Sequence, residues 1–384
     1  MASPRPTPTR SGAPRSLERL GAAFGVEGRC TRVVRLEGGH IHDTYLAEYD
    51  APGRPVRLVH QRLNDRVFSD PETVARNTAA VTAHLNRRVR DRRESDQRRR
   101  TLTQLRARDG RPFHRDEQGC WRTYLYVERT HVPDRVADVD RAHALAATFG
   151  CFLRDVHELR GRLAVTIPAF HDPVRRREEL EAARAADPCG RAAAARPVAD
   201  ALARLGDRLR EESARRGFDD LPSRVVHHDA KVANVLVDDR TGEPLCVIDL
   251  DTVMEGRVTS DFGELVRTSV GVAEDDEPHR LRVDRDLYRA VAHGFLRGAG
   301  GVLVEAEVRA LGAAGPLLAW MNAARFLTDH LEGDRYFRVA RPDQNLARAR
   351  TQLVLAEQLV AVLDELDALV EEAATTLREG VRSC

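Results

Sequence analysis

Lysine is nearly absent from this chain of 384 residues: Lys231 stands alone among 61 basic side chains, and the rest are arginine. A sequence that uses guanidinium almost everywhere and keeps one ammonium points to a need there for a compact, flexible point charge. Net charge is lacking too, at +1, which argues against a dedicated nucleic-acid binder. The six cysteines, Cys30, Cys120, Cys151, Cys189, Cys246 and Cys384, form no C-x-x-C pair. Neither a zinc site nor a disulfide framework is expected, and the thiols read as reduced and cytoplasmic. No apolar run approaches membrane-spanning length, so no membrane partner is expected. The first 15 residues are rich in Pro, Ser and Arg and lack the apolar core of a signal peptide; residues 1–18 read as a flexible tail.

What is present centres on residues 225–251, VVHHDAKVANVLVDDRTGEPLCVIDLD. Two apolar runs, Val235–Val237 and Leu245–Ile248, flank a turn with Gly242 and Pro244, which predicts a β-hairpin. The bend brings Asp229, Asn234 and Asp249 together, and their oxygens suit a hard cation such as Mg²⁺. The order His227, Asp229, Asn234, Asp249 resembles the catalytic segment of protein kinases and their small-molecule relatives. That resemblance implies Asp229 as the base for an attacking hydroxyl and Asn234 and Asp249 as metal ligands. Lys231, two residues past the base, suits a γ-phosphate oxygen in transit. Asp261-Phe262-Gly263 spells the kinase D-F-G but lies too far along the chain. Asp261 reads as the N-cap of a following helix.

The N-terminal third reads as strand, loop, strand (33–36, 37–40, 44–47), a further strand at 56–63 and a helix over 72–85. By the same resemblance, Gly38 and Gly39 would cover nucleotide phosphates. Kinases carry a phosphate-pairing lysine on the third strand. Here Gln61 or Arg62 takes its place, Gln61 by alignment on the following Leu63, and a neutral Gln61–Asn77 contact is expected where kinases have Lys–Glu. The Arg-rich stretch 87–100 reads as a solvated, partly mobile segment. Residues 121–127 read as a strand entering a hinge, where backbone at Val127 would meet adenine. From Asp140 onward helical spacing dominates: 140–159, 174–186, 191–216, 286–296, 305–331 and 344–377. The last helix carries Leu359, Val362, Leu363, Leu366, Leu369 and Val370 on one face, which reads as core first and a dimer contact second. The fold class is α+β: a bilobal kinase-like arrangement with an antiparallel-sheet N-lobe (19–130) and a mainly helical C-lobe (131–384).

Longer strings narrow the resemblance. GGHIHDTY at 38–45, HQRLN at 60–64 with VFSDPETVARN at 67–77, HHDAKVANVLVD at 227–238 with VIDLDTVMEG at 247–256, and RFLTD at 325–329 with GDRYF at 333–337 resemble the signatures of bacterial N-acetylhexosamine 1-kinases. The likeness runs over about residues 20–360. His42, His228, Ala230, Ala233 and Glu255 depart from the family strings. The resemblance implies ATP- and Mg²⁺-dependent phosphorylation of the anomeric hydroxyl of a sugar such as GlcNAc or GalNAc. Arg325 and Tyr336 would contact the sugar. Asp251 would share a face with Asp249 if the strand continues, accepting a sugar hydroxyl or supporting the site. A monomer or homodimer is expected. Two other readings remain: a phosphotransferase for aminoglycosides or other small alcohols, and a non-catalytic nucleotide-binding pseudokinase.

Overall fold

The computed structural model describes residues 15–36, 41–271 and 278–382. The chain forms two compact units, Met1–Thr130 with Gly161–Ile167, and His131–Arg160 with Pro168–Cys384.

The first unit comprises α1 (Arg15–Ala23), β1 (Arg29–Arg35), β2 (Asp43–Ala51), β3 (Arg54–Arg62), α2 (Pro71–Asp91), α3 (Gln97–Arg100), β4 (His114–Asp116) and β5 (Gly119–Leu125). The strands form one antiparallel sheet in the order β1-β2-β3-β5-β4. Alternation along β2, β3 and β5 sends Ala47, Tyr49, Leu58 and Trp121 into the core, where Leu17 and Leu20 of α1 and Phe24 just after it add their side chains. His60 is fully buried there. It lies 2.9 Å from the Tyr49 hydroxyl and 2.8 Å from the Thr123 hydroxyl. Burial holds its imidazole down at about 4. Helix α2 starts one residue earlier than the apolar spacing predicts, with Asp70 accepting from Thr73 N at 3.0 Å and Pro71 in the first turn. It also runs six residues past Leu85, because arginine is a good helix former. The Arg-rich stretch is therefore helix, short turn and α3, and most of its residues are exposed. Arg99 is buried, donating to Asp96 at 2.9 Å and to the Arg129 carbonyl at 3.0 Å.

A two-residue strand, β6 (Thr130–His131), lies where the units divide. The second unit continues with α4 (Val139–His157), α5 (Pro173–Ala186), α6 (Ala192–Arg215), β7 (Arg224–Val226), β8 (Val235–Asp238), β9 (Pro244–Val247), β10 (Met254–Gly256), α7 (Val258–Ser269), α8 (Arg285–Ala299), α9 (Glu305–Glu332), α10 (Gln344–Ala361) and α11 (Leu363–Arg382). It is thus mainly helical around a short hairpin. Helix α9 is buried on nearly all sides and packs against α5, α6, α7, α10 and α11. Helices α4 and α8 meet backbone to backbone: a Cβ at Gly298 would run into the Ala147 carbonyl. The predicted single helix over 344–377 is two helices. Val362 leaves helical geometry (φ −119°, ψ 23°), and the bend lets Leu359 and Leu363 both bury. That apolar face is core. Among the described residues, no helix is long and apolar enough to cross a membrane.

Candidate active site

The hairpin β8–β9 pairs Val235 with Val247 and Leu236 with Cys246. Its turn closes through Gly242 N to the Asp238 carbonyl at 2.7 Å, with Gly242 at φ +65°. Ile248 N donates to the Asn234 carbonyl at 2.9 Å, so the fold-back sets Asp249 beside Asn234. Between β7 and β8, residues 227–234 form a loop whose shape is fixed from below. His227 N and His228 N donate to the two Asp261 carboxylate oxygens at 2.9 and 2.7 Å. Asp261 lies inside α7, four residues past its N-cap Arg257, so it is not the helix cap that its sequence context suggests. It acts instead as a carboxylate clamp on the loop backbone. Burial pushes Asp261 up to about 7, while the two amides pull the other way.

His227 completes the support. Its Nε2 donates to the Ile248 carbonyl at 3.0 Å, its Nδ1 accepts from Asp229 N at 3.2 Å, and its carbonyl accepts from Thr252 Oγ1 at 2.7 Å. Phe149 and Phe152 of α4 stand edge-on to its ring at 5.5 Å each. Burial lowers its pKa, so the ring is a neutral strut. The loop ends with one carboxylate presented outward. Asp229 Oδ2 accepts from Lys231 Nζ at 2.7 Å and Asn234 Nδ2 at 2.8 Å. No described residue pairs with Oδ1. Burial pulls the Lys231 ammonium down, but Asp229 and Asp249 outweigh it and raise its pKa. Lys231, Asp229, Asn234 and Asp249 are therefore one electrostatic cluster.

Asp249 has left-handed backbone, φ 60° and ψ 58°, and residues 250–252 form a 3-10 turn. The strand does not continue, so two-residue alternation does not place Asp251 on the face of Asp249. Asp251 is buried in the turn and bears on His227 through its charge. As a fit for Mg²⁺, Asn234 and Asp249 offer hard oxygens. The carboxamide nitrogen of Asn234 is committed to Asp229, which leaves its oxygen for a cation.

In the same unit a second group forms a wall. Arg325 of α9 has its guanidinium carbon 5.2, 5.7 and 5.4 Å from the ring centres of Phe170, Tyr336 and Phe337. Among the described residues no carboxylate pairs with it. Tyr336 and Phe337 are presented by a loop built on Asp329. Its Oδ1 accepts from Arg335 N at 2.8 Å and Tyr336 N at 2.7 Å, and its Oδ2 from Phe337 N and Asn345 Nδ2 at 2.9 Å each. Arg191 and Asn345 hold Asp334 at 2.6 and 2.9 Å. Sequence reading took Asp261, in its D-F-G string, for a helix cap and found no role for it in the loop, nor any for Asp329, Phe170 and His171. Asp329 had the signal of closing the RFLTD string, and nothing in the chain order announces Phe170 or His171.

In the sheet unit, Gly38 and Gly39 lie outside the described residues. Gln61 does not meet Asn77. It donates to Thr44 Oγ1 at 3.2 Å and accepts from Arg122 Nε at 2.9 Å, because Thr44, Gln61 and Arg122 face one another across β2, β3 and β5. Asn77 instead exchanges hydrogen bonds with Ala164 backbone at 2.8 and 3.1 Å. A guanidinium, buried over the Tyr124 ring at 5.3 Å, thus stands next to the position that lacks the lysine. The Val127 carbonyl accepts from Thr130 Oγ1 at 2.8 Å.

Residues 32–298 match the phosphotransferase enzyme family. Solved structures of similar fold include an aminoglycoside phosphotransferase from Alicyclobacillus acidocaldarius, 15% identical, TM-score 0.57, covering 95% of this chain and 99% of that one. A spectinomycin phosphotransferase, solved with ADP and spectinomycin, is 14% identical with TM-score 0.56, over 91% and 99%. Plasmodium vivax ethanolamine kinase is 10% identical with TM-score 0.54, over 85% and 82%. At these identities the likeness is one of fold.

Proposed function

The chain belongs to the phosphotransferase enzyme family, and from that premise we propose that it moves the γ-phosphoryl group of ATP to the anomeric hydroxyl of an N-acetylhexosamine, GlcNAc or GalNAc. The observation that carries the catalytic part is the Asp229 carboxylate, one oxygen taken by Lys231 and Asn234 and the other unpaired, on a loop clamped by Asp261. Asp229 takes the hydroxyl proton. Lys231 follows the transferring phosphoryl oxygens. Asn234 and Asp249 would hold Mg²⁺, which when bound neutralises phosphate charge. In the sheet unit, Gln61 stands on the nucleotide side where kinases carry lysine, with Gly38, Gly39 and the Val127 backbone as the other nucleotide contacts. Arg325 and Tyr336 hold the sugar, and Asp251 supports the loop through His227. The scattered cysteines, with no C-x-x-C pair, fit a cytoplasmic setting.

The acceptor rests on the shared strings quoted above and on the unpaired Arg325 guanidinium, which suits hydroxyls and an acetamide carbonyl better than a polycation. A coupled ADP-release assay with Mg-ATP tests this against GlcNAc, GalNAc, their methyl glycosides, spectinomycin and ethanolamine. Turnover with the free sugars and none with the methyl glycosides is expected. Turnover with spectinomycin or ethanolamine alone overturns the acceptor. ATP binding with no turnover on any compound overturns the enzymatic reading.

A further inference from the structure

Two histidines flank the wall and the base, and neither has a role in the chemistry above. His228 precedes Asp229 and is buried, with left-handed backbone at φ 65°. Its Nε2 lies 3.4 Å from the Glu255 carbonyl, to which it donates, so Nδ1 carries the lone pair. Its ring rests on the Gly256 backbone, where even a Cβ would collide with it. His171 sits 5.3 Å away at 69°, stacked on Phe170 at 4.5 Å. Phe170 in turn carries the Arg325 guanidinium. Both Nδ1 atoms are buried, and neither has a hydrogen-bond partner. An unpaired polar atom sealed from water costs about 1–3 kcal/mol, and two such atoms meet here beside the base. Burial lowers both imidazoles, His228 to about 4 and His171 well below its ordinary range, with Arg325 adding to the effect on His171. Both rings are therefore neutral near pH 7.

We infer that His171 and His228 form a hydrogen-bonding pair for a neutral, hydroxyl-bearing acceptor, bound next to the hydroxyl that Asp229 deprotonates. This rests on the phosphotransferase reading and narrows its substrate class. His228 Nδ1 accepts from an O–H or N–H of the acceptor. His171 is only partly buried as a residue, and rotation of its ring about χ2 brings a nitrogen to the ligand. A hydroxyl both donates and accepts, so it matches either His171 tautomer. An ammonium can only donate, and the Arg325 guanidinium repels it. The pair thus admits a sugar or polyol and disfavours a polycation. The apolar rings around it exclude water from the exchange.

Imidazole ¹⁵N spectra of the full chain, titrated with GlcNAc, GalNAc and spectinomycin in the presence of a non-hydrolysable ATP analogue, read the pair without turnover. Movement of the His171 and His228 nitrogens with the sugars is expected. Movement with spectinomycin alone, or with none of the three, overturns the inference. Kinetics separate it from the catalytic reading. His171→Leu should raise the sugar KM about tenfold, the worth of one lost hydrogen bond. The KM for ATP should hold, and His171→Gln should recover part of the loss. An unchanged sugar KM in both His171→Leu and His228→Leu, with wild-type turnover on sugar intact, overturns the pair and leaves the function standing. If wild type turns over no sugar, the earlier proposal fails, and the spectra alone decide the pair.

Discussion

The Asp229 loop and the Arg325 wall are built on opposite rules. In the loop, backbone and side chains hold one another: Asp261 takes two amides, His227 bridges Ile248 and Asp229, and Asn234 reaches back to Asp229. In the wall the scaffolding is as complete, through Asp329 and Asn345, but the presented groups are unpaired. Among the described residues Arg325 has rings and no carboxylate, and the His171 Nδ1 has no partner. The loop backbone is held before any ligand arrives, with Asp229 Oδ1 and His228 Nδ1 left open. The wall is completed by one, which is how recognition by hydrogen bonds gains selectivity.

The contrast can be broken most severely at the base. Asp229→Asn should lower kcat by roughly 10²–10⁴-fold, the span of general-base catalysis, with ATP affinity intact by calorimetry; a near-normal rate would remove it from that role. Next comes the clamp. Asp261→Ala leaves two buried amides without their charged acceptor and should cost roughly 3 kcal/mol in urea unfolding, whereas Tyr336→Ala, half-exposed on the wall, should stay within about 0.5 kcal/mol. Equal losses would erase the distinction between a held loop and an open wall.

Acidification follows. His60 and His228 are held at about 4 in the folded chain, below the ordinary unfolded value. The unfolded chain therefore binds protons first as pH falls. The contribution of each histidine is full above about 6.5 and declines between 6.5 and 4, by about 1.4 kcal/mol per pH unit, while Asp261, pushed up to about 7, gains stability over the same fall and offsets one of the two. Urea midpoints at several pH values should show the slope, and His60→Gln should remove its share; a flat profile across that window contradicts the burial argument. Smallest is Arg325→Lys, which keeps the charge and loses the planar contact with three rings. The acceptor KM should rise a few-fold, in line with about 0.5–1 kcal/mol, while kcat holds.

Much of this was legible in order and spacing. The α+β class, the hairpin and most helices follow from periodicity, because each is a local pattern whose burial the core enforces. Asp229, Asn234 and Asp249 could be picked out because a hairpin joins residues close in sequence. Where reading failed, the partners were distant or the backbone left its regular path. Asp261 looks like an N-cap until the loop 33 residues earlier is seen to need its carboxylate. Asp251 was placed by strand alternation, which a left-handed Asp249 cancels. Gln61 was matched to Asn77 by analogy, but strand register gives it Arg122. Val362 carries no glycine or proline to announce that the last helix divides.

The lone ammonium has a practical consequence. Amine-directed chemistry has one side-chain target in the whole chain, and it lies 2.7 Å from the Asp229 carboxylate. Reductive methylation with ¹³C-formaldehyde would therefore install a single side-chain reporter beside the proposed base. Its resonance would register nucleotide arrival, acceptor arrival and release of the carboxylate, without any engineered label.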